Sequence, residues 1–194
     1  MILFIDTETN NLINYRLQDD FKKYPRIVQL AWRLYDGVEN IKSSGNYIIY
    51  PVDFIISDES ALIHGITMDD AIERGLPIYM VLQKFNDDVE NCDLVIAHNL
   101  EFDLPIIVTE FLRAGIRTNI MKKQNFCTMK SSNVISYCEI PFPYGNGYKW
   151  PSLSELYKQL FDEDFDGGHD ASEDVKACAK CFFELREKGI IEVY

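Results

Sequence analysis

The chain opens on an unbroken apolar run, Met1-Ile2-Leu3-Phe4-Ile5, that ends in Asp6-Thr7-Glu8-Thr9. Large and β-branched apolar residues in such a run predict a buried strand over 2–6. Two more strand-like segments follow, at 27–35 and 47–51. In the first of these, Val28, Leu30, Trp32 and Leu34 partly alternate with their neighbours. The short connections suit antiparallel partners. The period then changes to that of helices. Residues 57–64 and 68–74 read as short helices, and 77–91 as a longer one with Pro77 in its first turn. A short apolar strand over 93–97 leads to a helix over 102–114, ended by Gly115. A strand over 125–129 and a short helix over 153–160 come next. The last element is a helix over 171–188, where Val175, Cys178, Phe182 and Leu185 recur at helical spacing before Gly189 stops it. Between these, 124–149 carries Pro141, Pro143, Gly145 and Gly147 and reads as a long loop or lid. Strands clustered early and βα units later predict an α/β fold, a mixed sheet with helices packed on it.

A length of 194 residues fits one domain, large enough to bury most of its surface without staples. The net charge of −12 argues against a protein that coats nucleic acid through bulk charge. It leaves a nuclease open, because bound cations invert the local sign. The charge is also uneven. Residues 111–138 hold no Asp or Glu, yet include Arg113, Arg117, Lys122, Lys123 and Lys130. That stretch is either a solvated face or a contact for phosphate. The five cysteines are odd in number and lack framework spacing. Cys178 and Cys181 share one helix face, which fits core packing better than redox or zinc chemistry. The expectation is a reduced, cytoplasmic chain. Nothing resembles a signal peptide, and no apolar run reaches membrane-spanning length, so no membrane partner is expected.

Candidate chemistry begins at the end of the first strand. Asp6 and Glu8, two apart, point to one face. Unpaired buried carboxylates are costly, and like charges together cost more. Such a pair persists where a cation neutralises it, and Mg²⁺ is held by one or two carboxylates together with substrate phosphates. The bland reading is a strand running into a solvated acidic turn. A second cluster, His98-Asn99-Leu100-Glu101-Phe102-Asp103, directly follows the strand over 93–97. If that strand lies parallel beside the first, Asp103 faces Asp6 and Glu8 across a crevice at the strand ends. Taken alone, Asp103 is a first-turn acid that favours the helix dipole. A third cluster, Gly167-Gly168-His169-Asp170-Ala171-Ser172-Glu173-Asp174, opens the final helix. Asp170 with Glu173 fits a capping box and is left out of the site. Asp174 lies beside Val175, close to the buried stripe, where a carboxylate needs a partner. His169 is either a surface residue before a helix or a member of the site five residues before Asp174.

In this order, D-x-E, H-N-x-x-F-D and H-x-x-x-x-D resemble the three motifs of the DnaQ-like (DEDDh) 3′→5′ exonucleases, which have the ribonuclease H-like fold. Ile63-His64-Gly65-Ile66-Thr67 resembles the family's "HGIT" segment. Trp150-Pro151-Ser152-Leu153-Ser154-Glu155-Leu156 resembles the stretch before its last motif. The similarity spans nearly the whole chain. Cys127-Thr128-Met129 departs from the commoner Asp-Thr, at a position that is not catalytic in the family.

The resemblance implies one exonuclease domain over 1–194, with a mixed five-stranded sheet whose first three strands are antiparallel. It implies hydrolysis of single-stranded DNA, or of frayed 3′ ends, to nucleoside 5′-monophosphates. Asp6, Glu8 and Asp174 should hold the first of two divalent ions. Asp6 should bridge to the second, with Asp103 supporting it through water. His169 should act as general base on the attacking water, a role suited to a side chain that titrates near neutrality. Two ions about 3.5–4 Å apart stabilise the entering and leaving oxygens. An all-oxygen site suits Mg²⁺ or Mn²⁺ rather than zinc. For substrate contacts, Thr7 and the Asn10-Asn11-Leu12 turn should lie near the terminal nucleotide. Leu12 would wedge against a base, while His64 and Ile66 line the nucleotide pocket. Leu12 and Ile66 read equally well as ordinary packing, and Phe102 reads as core beneath the site. Asn99 joins the substrate contacts, although His98 and Asn99 both suit fixing the loop. Two alternatives stand beside this reading. One is an exoribonuclease that trims short RNA. The other is a non-enzymatic member that binds strand ends or a DNA polymerase, against which the presence of all four acids and the His counts.

Overall fold

The computed structural model describes residues 1–13, 23–165 and 168–193. Its sheet has five strands: β1 (Ile2–Thr9), β2 (Ile27–Tyr35), β3 (Ile41–Ile48), β4 (Leu94–Ala97) and β5 (Gln124–Cys127). Their order is β3-β2-β1-β4-β5. The pairs β1/β2 and β2/β3 are antiparallel, and β1/β4 and β4/β5 are parallel. This is the mixed α/β sheet expected from the chain. The helices are α1 (Asp58–His64), α2 (Met68–Arg74), α3 (Ile78–Asn91), α4 (Leu100–Ala114), α5 (Ser132–Cys138), α6 (Leu153–Phe161) and α7 (Ala171–Glu187).

The alternation of β1 separates two cores. Leu3 and Ile5 pack with Leu82 and Phe85 of α3 and Ile107 and Phe111 of α4. Ile2 and Phe4 pack on the opposite face with Leu156 of α6 and Val175 and Phe182 of α7. The Phe4 ring meets Tyr35, Phe182 and Phe183 edge-on, each with centroids 5.5 Å apart. Period-2 geometry then gives Asp6 and Glu8 the parity of Phe4, on the α7 side, and Thr7 the parity of Ile5, on the α4 side. The strand thus deals its acids to one layer and its hydroxyl to the other.

Several elements differ from expectation. β1 runs three residues past Asp6, paired with β2 to a bulge at Glu8/Thr9. β3 is Ile41–Ile48 rather than 47–51. It is a half-exposed edge strand whose middle, residues 42–46, is Lys, Ser, Ser, Gly and Asn, so it lacks the apolar signal of a core strand. Gly45 is required there, since a Cβ would sit 2.2 Å from the Trp32 ring of β2. The same indole donates to Asp88 of α3 at 2.6 Å, and Asp88 also accepts from Ser43 at 2.7 Å. Part of the expected lid is the helix α5, anchored by buried Val134 and Cys138. The five cysteines are free thiols, with Cys178 and Cys181 in the core as expected. Among the described residues, no helix is long and apolar enough to cross a membrane.

Candidate active site

β1 and β4 run parallel, with Phe4 beside Ile96, so the segments after them open on the same edge of the sheet. The crevice there is a cleft of about 900 Å³. Asp6, Thr7, Glu8, Asp103, His169 and Asp174 all line it. Carboxylate oxygens of Asp6, Glu8 and Asp174 lie within 4.8 Å of one another.

Thr7 and α4 fix the fourth acid. Asp103 is 2% exposed, and its Oδ1 accepts from the Thr7 N–H at 3.0 Å and from the Thr7 hydroxyl at 2.7 Å. Thr7 was expected as a backbone contact for the nucleotide. It lines the cleft, but its N–H and hydroxyl are both engaged by Asp103.

The start of α7 is positioned by a residue that sequence reasoning missed. Gln29 of β2, opposite Glu8 in register, accepts from the Ala171 N–H at 3.3 Å and donates to Asp170 at 3.4 Å and to Asn46 at 2.9 Å. This ties the first turn of α7 to the sheet, one turn before Asp174. In the sequence Gln29 is one of two polar residues, with Arg33, in a largely apolar strand, and its burial appears only in the fold. The expected capping box does not form. Asp170 alone caps, accepting from the Ser172 N–H at 2.8 Å, while Glu173 pairs with Lys176. His169 is exposed and has φ 71°, in the left-handed region. Its N–H donates to Asp174 Oδ2 at 3.1 Å.

Burial and mutual repulsion dominate the electrostatics. Asp6 is pushed well above the usual carboxyl range, first by burial and then by Asp103, Asp174 and Glu8. Glu8 rises to about 8 through burial and the charges of Asp174 and Asp103. Burial lifts Asp103 to about 7 against the opposing hydrogen bonds of Thr7. Burial lifts Asp174 to about 6, with the His169 N–H acting against it. Four acids that resist ionising together, with only oxygen donors, fit hard divalent cations.

The surrounding residues divide into frame and wall. His98 bonds the Pro151 carbonyl through Nε2 at 3.0 Å and the Thr128 hydroxyl through Nδ1 at 2.9 Å. A carbonyl only accepts, so Nε2 carries the proton and Nδ1 accepts. Burial holds this ring down to about 4, so it is a neutral strut rather than a base. Asn99 lines the cleft with φ 85° at the N-cap of α4, without a side-chain capping bond. Gly65 ends α1 in the left-handed region (φ 73°), and the chain then turns so that the Ile66 N–H donates to His64 Nδ1 at 3.1 Å. His64 Nε2 therefore carries a proton, and it has no partner among the described residues. The His64 ring lines the cleft, but Ile66 does not. Ile66 is buried with Val28, Ile56 and Ala71, so it acts here through its backbone. The turn after β1 is pinned by Asn10, which donates to the Ile55 carbonyl and accepts from the Arg26 N–H and the Ser60 hydroxyl. That turn presents Leu12, 77% exposed, at the cleft rim. Phe102 packs against the core from the cleft floor.

In the expected cationic stretch, Arg113 bonds Glu110, Lys123 caps carbonyls at Glu90 and Cys92, and Lys130 pairs with Glu101. These three serve the fold.

The fold is similar to that of exonuclease I from E. coli. Its complex with a 5cy-dA13 oligonucleotide superposes with TM-score 0.74 at 18% identity, covering 96% of this chain and 40% of that one. The complex with dT13 gives 0.73 at 18%, covering 97% and 42%. A zinc-bound form of the single-stranded DNA complex gives 0.71 at 18%, covering 96% and 40%. The chain thus spans about two fifths of those proteins. Among curated proteins none matches. The model of the exonuclease family (RNase_T) matches from residue 3 to residue 182 and takes in all three acidic clusters. On that match the chain belongs to the exonuclease family, as a DnaQ-like domain of ribonuclease H-like fold.

Proposed function

We propose that residues 1–194 form one exonuclease domain that removes nucleotides from the 3′ end of single-stranded DNA, or of frayed ends, as nucleoside 5′-monophosphates. The observation that carries this reading is the convergence of Asp6, Glu8 and Asp174 within 4.8 Å, with Asp103 held beside them. Asp6, Glu8 and Asp174 would hold one divalent ion, and Asp6 with Asp103 a second, Mg²⁺ or Mn²⁺. When bound, the ions supply positive charge to the attacking and leaving oxygens of the phosphodiester. His169 takes the proton from the attacking water. His64 lines the pocket for the terminal nucleotide, with Leu12 a wedge against its base and Asn99 a polar contact. DNA oligonucleotides in the structures of similar fold support the choice of DNA. Free thiols at all five cysteines suit a cytoplasmic setting.

The test uses DNA and RNA oligomers of one sequence. A 5′-labelled DNA strand should give a descending ladder, a 3′-labelled one should release labelled mononucleotide at once, and RNA should lag. Internal fragments from a circular single strand would make the enzyme an endonuclease. Faster cleavage of RNA would reassign the substrate. Because one similar structure holds zinc, the assay should compare Mg²⁺, Mn²⁺ and Zn²⁺.

A second expectation concerns stability. The folded-state pKa values of Glu8, Asp103 and Asp174, about 8, 7 and 6, lie above the ordinary 4.5, 3.8 and 3.8. The metal-free native state therefore holds protons more tightly than the unfolded chain. The stability these groups contribute is full below about pH 4 and is lost as pH rises to about 8. The Tm in EDTA should fall across that window, and excess Mg²⁺ should raise it far more at pH 8 than at pH 5.5. Equal metal-induced shifts at both pH values would contradict the pKa assignment.

A further inference from the structure

The segment between α5 and α6 carries a group of exposed rings that the cleft does not use. Phe142, Tyr144, Tyr148 and Trp150 are 47%, 93%, 43% and 55% exposed. They are displayed on a hairpin. Pro141 and Tyr148 form an antiparallel bridge, the Lys149 N–H donates to the Ile140 carbonyl at 2.8 Å, and the Phe142 N–H donates to the Gly147 carbonyl at 3.2 Å. Gly145 and Gly147 turn the chain at φ 104° and 97°. The Tyr148 hydroxyl donates to Glu139 at 3.2 Å, which steadies the base of the hairpin. Exposed rings on a tied-down hairpin are unusual for a surface that meets only water.

The hairpin is rooted at the cleft. Trp150 precedes Pro151, whose carbonyl receives the Nε2–H of cleft-lining His98. The Lys130 ammonium lies 4.5 Å from the centroid of the Trp150 ring and also pairs with Glu101, in the first turn of α4 beside Phe102 and Asp103. Two ties, at Trp150 and at Pro151, therefore connect the base of the hairpin to the segment after β4 that carries Asp103.

We infer that the 141–150 hairpin is a stacking platform for the single strand upstream of the 3′ end held in the cleft, with Tyr144 and Trp150 as its principal rings. The inference rests on the proposed exonuclease reading. Its physical ground is the balance of charge. The chain carries −12, and the lysines at the hairpin are already committed, Lys149 within it to Glu155 at 2.6 Å and Lys130, which lies over Trp150 from the turn after β5, to Glu101. A phosphate-neutralising groove would release counterions and lose affinity steeply with salt. Stacking of an unpaired base on an aromatic face neutralises no phosphate, so this contribution releases no counterions, and it tolerates any base. Duplex DNA cannot use such faces, because its bases are stacked on one another. The occupant that fits is thus a flexible single strand.

The test uses thymidine oligomers of 2, 4, 8 and 12 nucleotides with Mg²⁺. In the wild type, KM should fall with length until the strand reaches the hairpin, and that gain should persist between about 50 and about 200 mM salt. Tyr144→Ala, at a side chain almost wholly in solvent, should raise KM for the 12-mer by roughly 5- to 150-fold. Its kcat and KM for the dinucleotide should not move. A second readout is independent of turnover. Trp150 is exposed and Trp32 is 2% exposed, so a 12-mer with phosphorothioate linkages should quench the Trp150 fluorescence alone. Trp150→Phe should remove that quench. A length dependence that is absent, or unchanged in Tyr144→Ala, overturns the platform, as does fluorescence that the 12-mer leaves unaltered. A hairpin that docked a protein instead would give those same unmoved readouts. Failure of the wild type to cleave any oligomer would overturn the exonuclease reading itself, and a surviving Trp150 quench would then show the two apart.

Discussion

Asp174→Asn should lower turnover on the order of 10³-fold or more, with the fold intact. The side chain is one of three carboxylates within 4.8 Å, so replacing it with an amide removes charge from the proposed metal site. The helix around it does not depend on that charge. Asp170 caps α7, and Gln29 holds its first turn. The stability effect should have the opposite sign. Without metal, burial and neighbouring acids disfavour the ionised form of Asp174, so a neutral amide relieves repulsion. In EDTA at pH 8 the variant should therefore melt above the wild type, and its Tm should respond little to Mg²⁺. Asp6→Asn should behave alike, for the same reason and with a larger relief. A wild-type rate in either variant removes that residue from the site. A variant that is inactive because it is unfolded is recognised by its circular dichroism.

Removal of the His169 imidazole should lower kcat by roughly 10²–10⁴-fold with KM little changed. The choice of variant matters because of the backbone. His169 sits at φ 71°, where Asn is tolerated and Ala is strained. Its N–H also donates to Asp174, a bond that belongs to the main chain and survives any replacement with the same φ. His169→Asn thus removes the base while preserving the turn, and His169→Ala adds the cost of strain. The two should lose similar amounts of kcat if the imidazole acts chemically. Single-turnover rates across pH, with metal saturating, should show the acidic limb change shape in both. If Asn retains the wild-type rate and only Ala loses it, the position matters as a turn and the imidazole has no chemical part.

The acids were legible because strand and helix periodicity brings them to predictable faces, and because the run 1–5 announces its strand so strongly. Asp103 needed one further fact, that β4 lies parallel to β1, which no local pattern contains. The bonds that set the geometry were less visible. Thr7 reaches Asp103 across 96 residues, and Gln29 reaches Ala171 across 142. Such pairings depend on the tertiary fold, and at the level of sequence each residue is an ordinary polar side chain. β3 was displaced in the reading because an edge strand half in water has no need of apolar alternation. Glu173 fits the spacing of a capping box, yet Lys176 three residues on competes for it and wins.

The alternation of β1 has a consequence for how activity emerges during folding. Phe4 locks the strand into the aromatic cluster of α7, and Asp6 and Glu8 follow it with the same parity. A slip of one residue against β2 would turn Phe4 out of that cluster and carry both acids to the opposite layer, away from Asp174. The aromatic core therefore acts as a proofreader of strand register. A misaligned chain assembles no partial site, so hydrolytic competence should appear in step with the final packing of α7, with no weakly active intermediate before it.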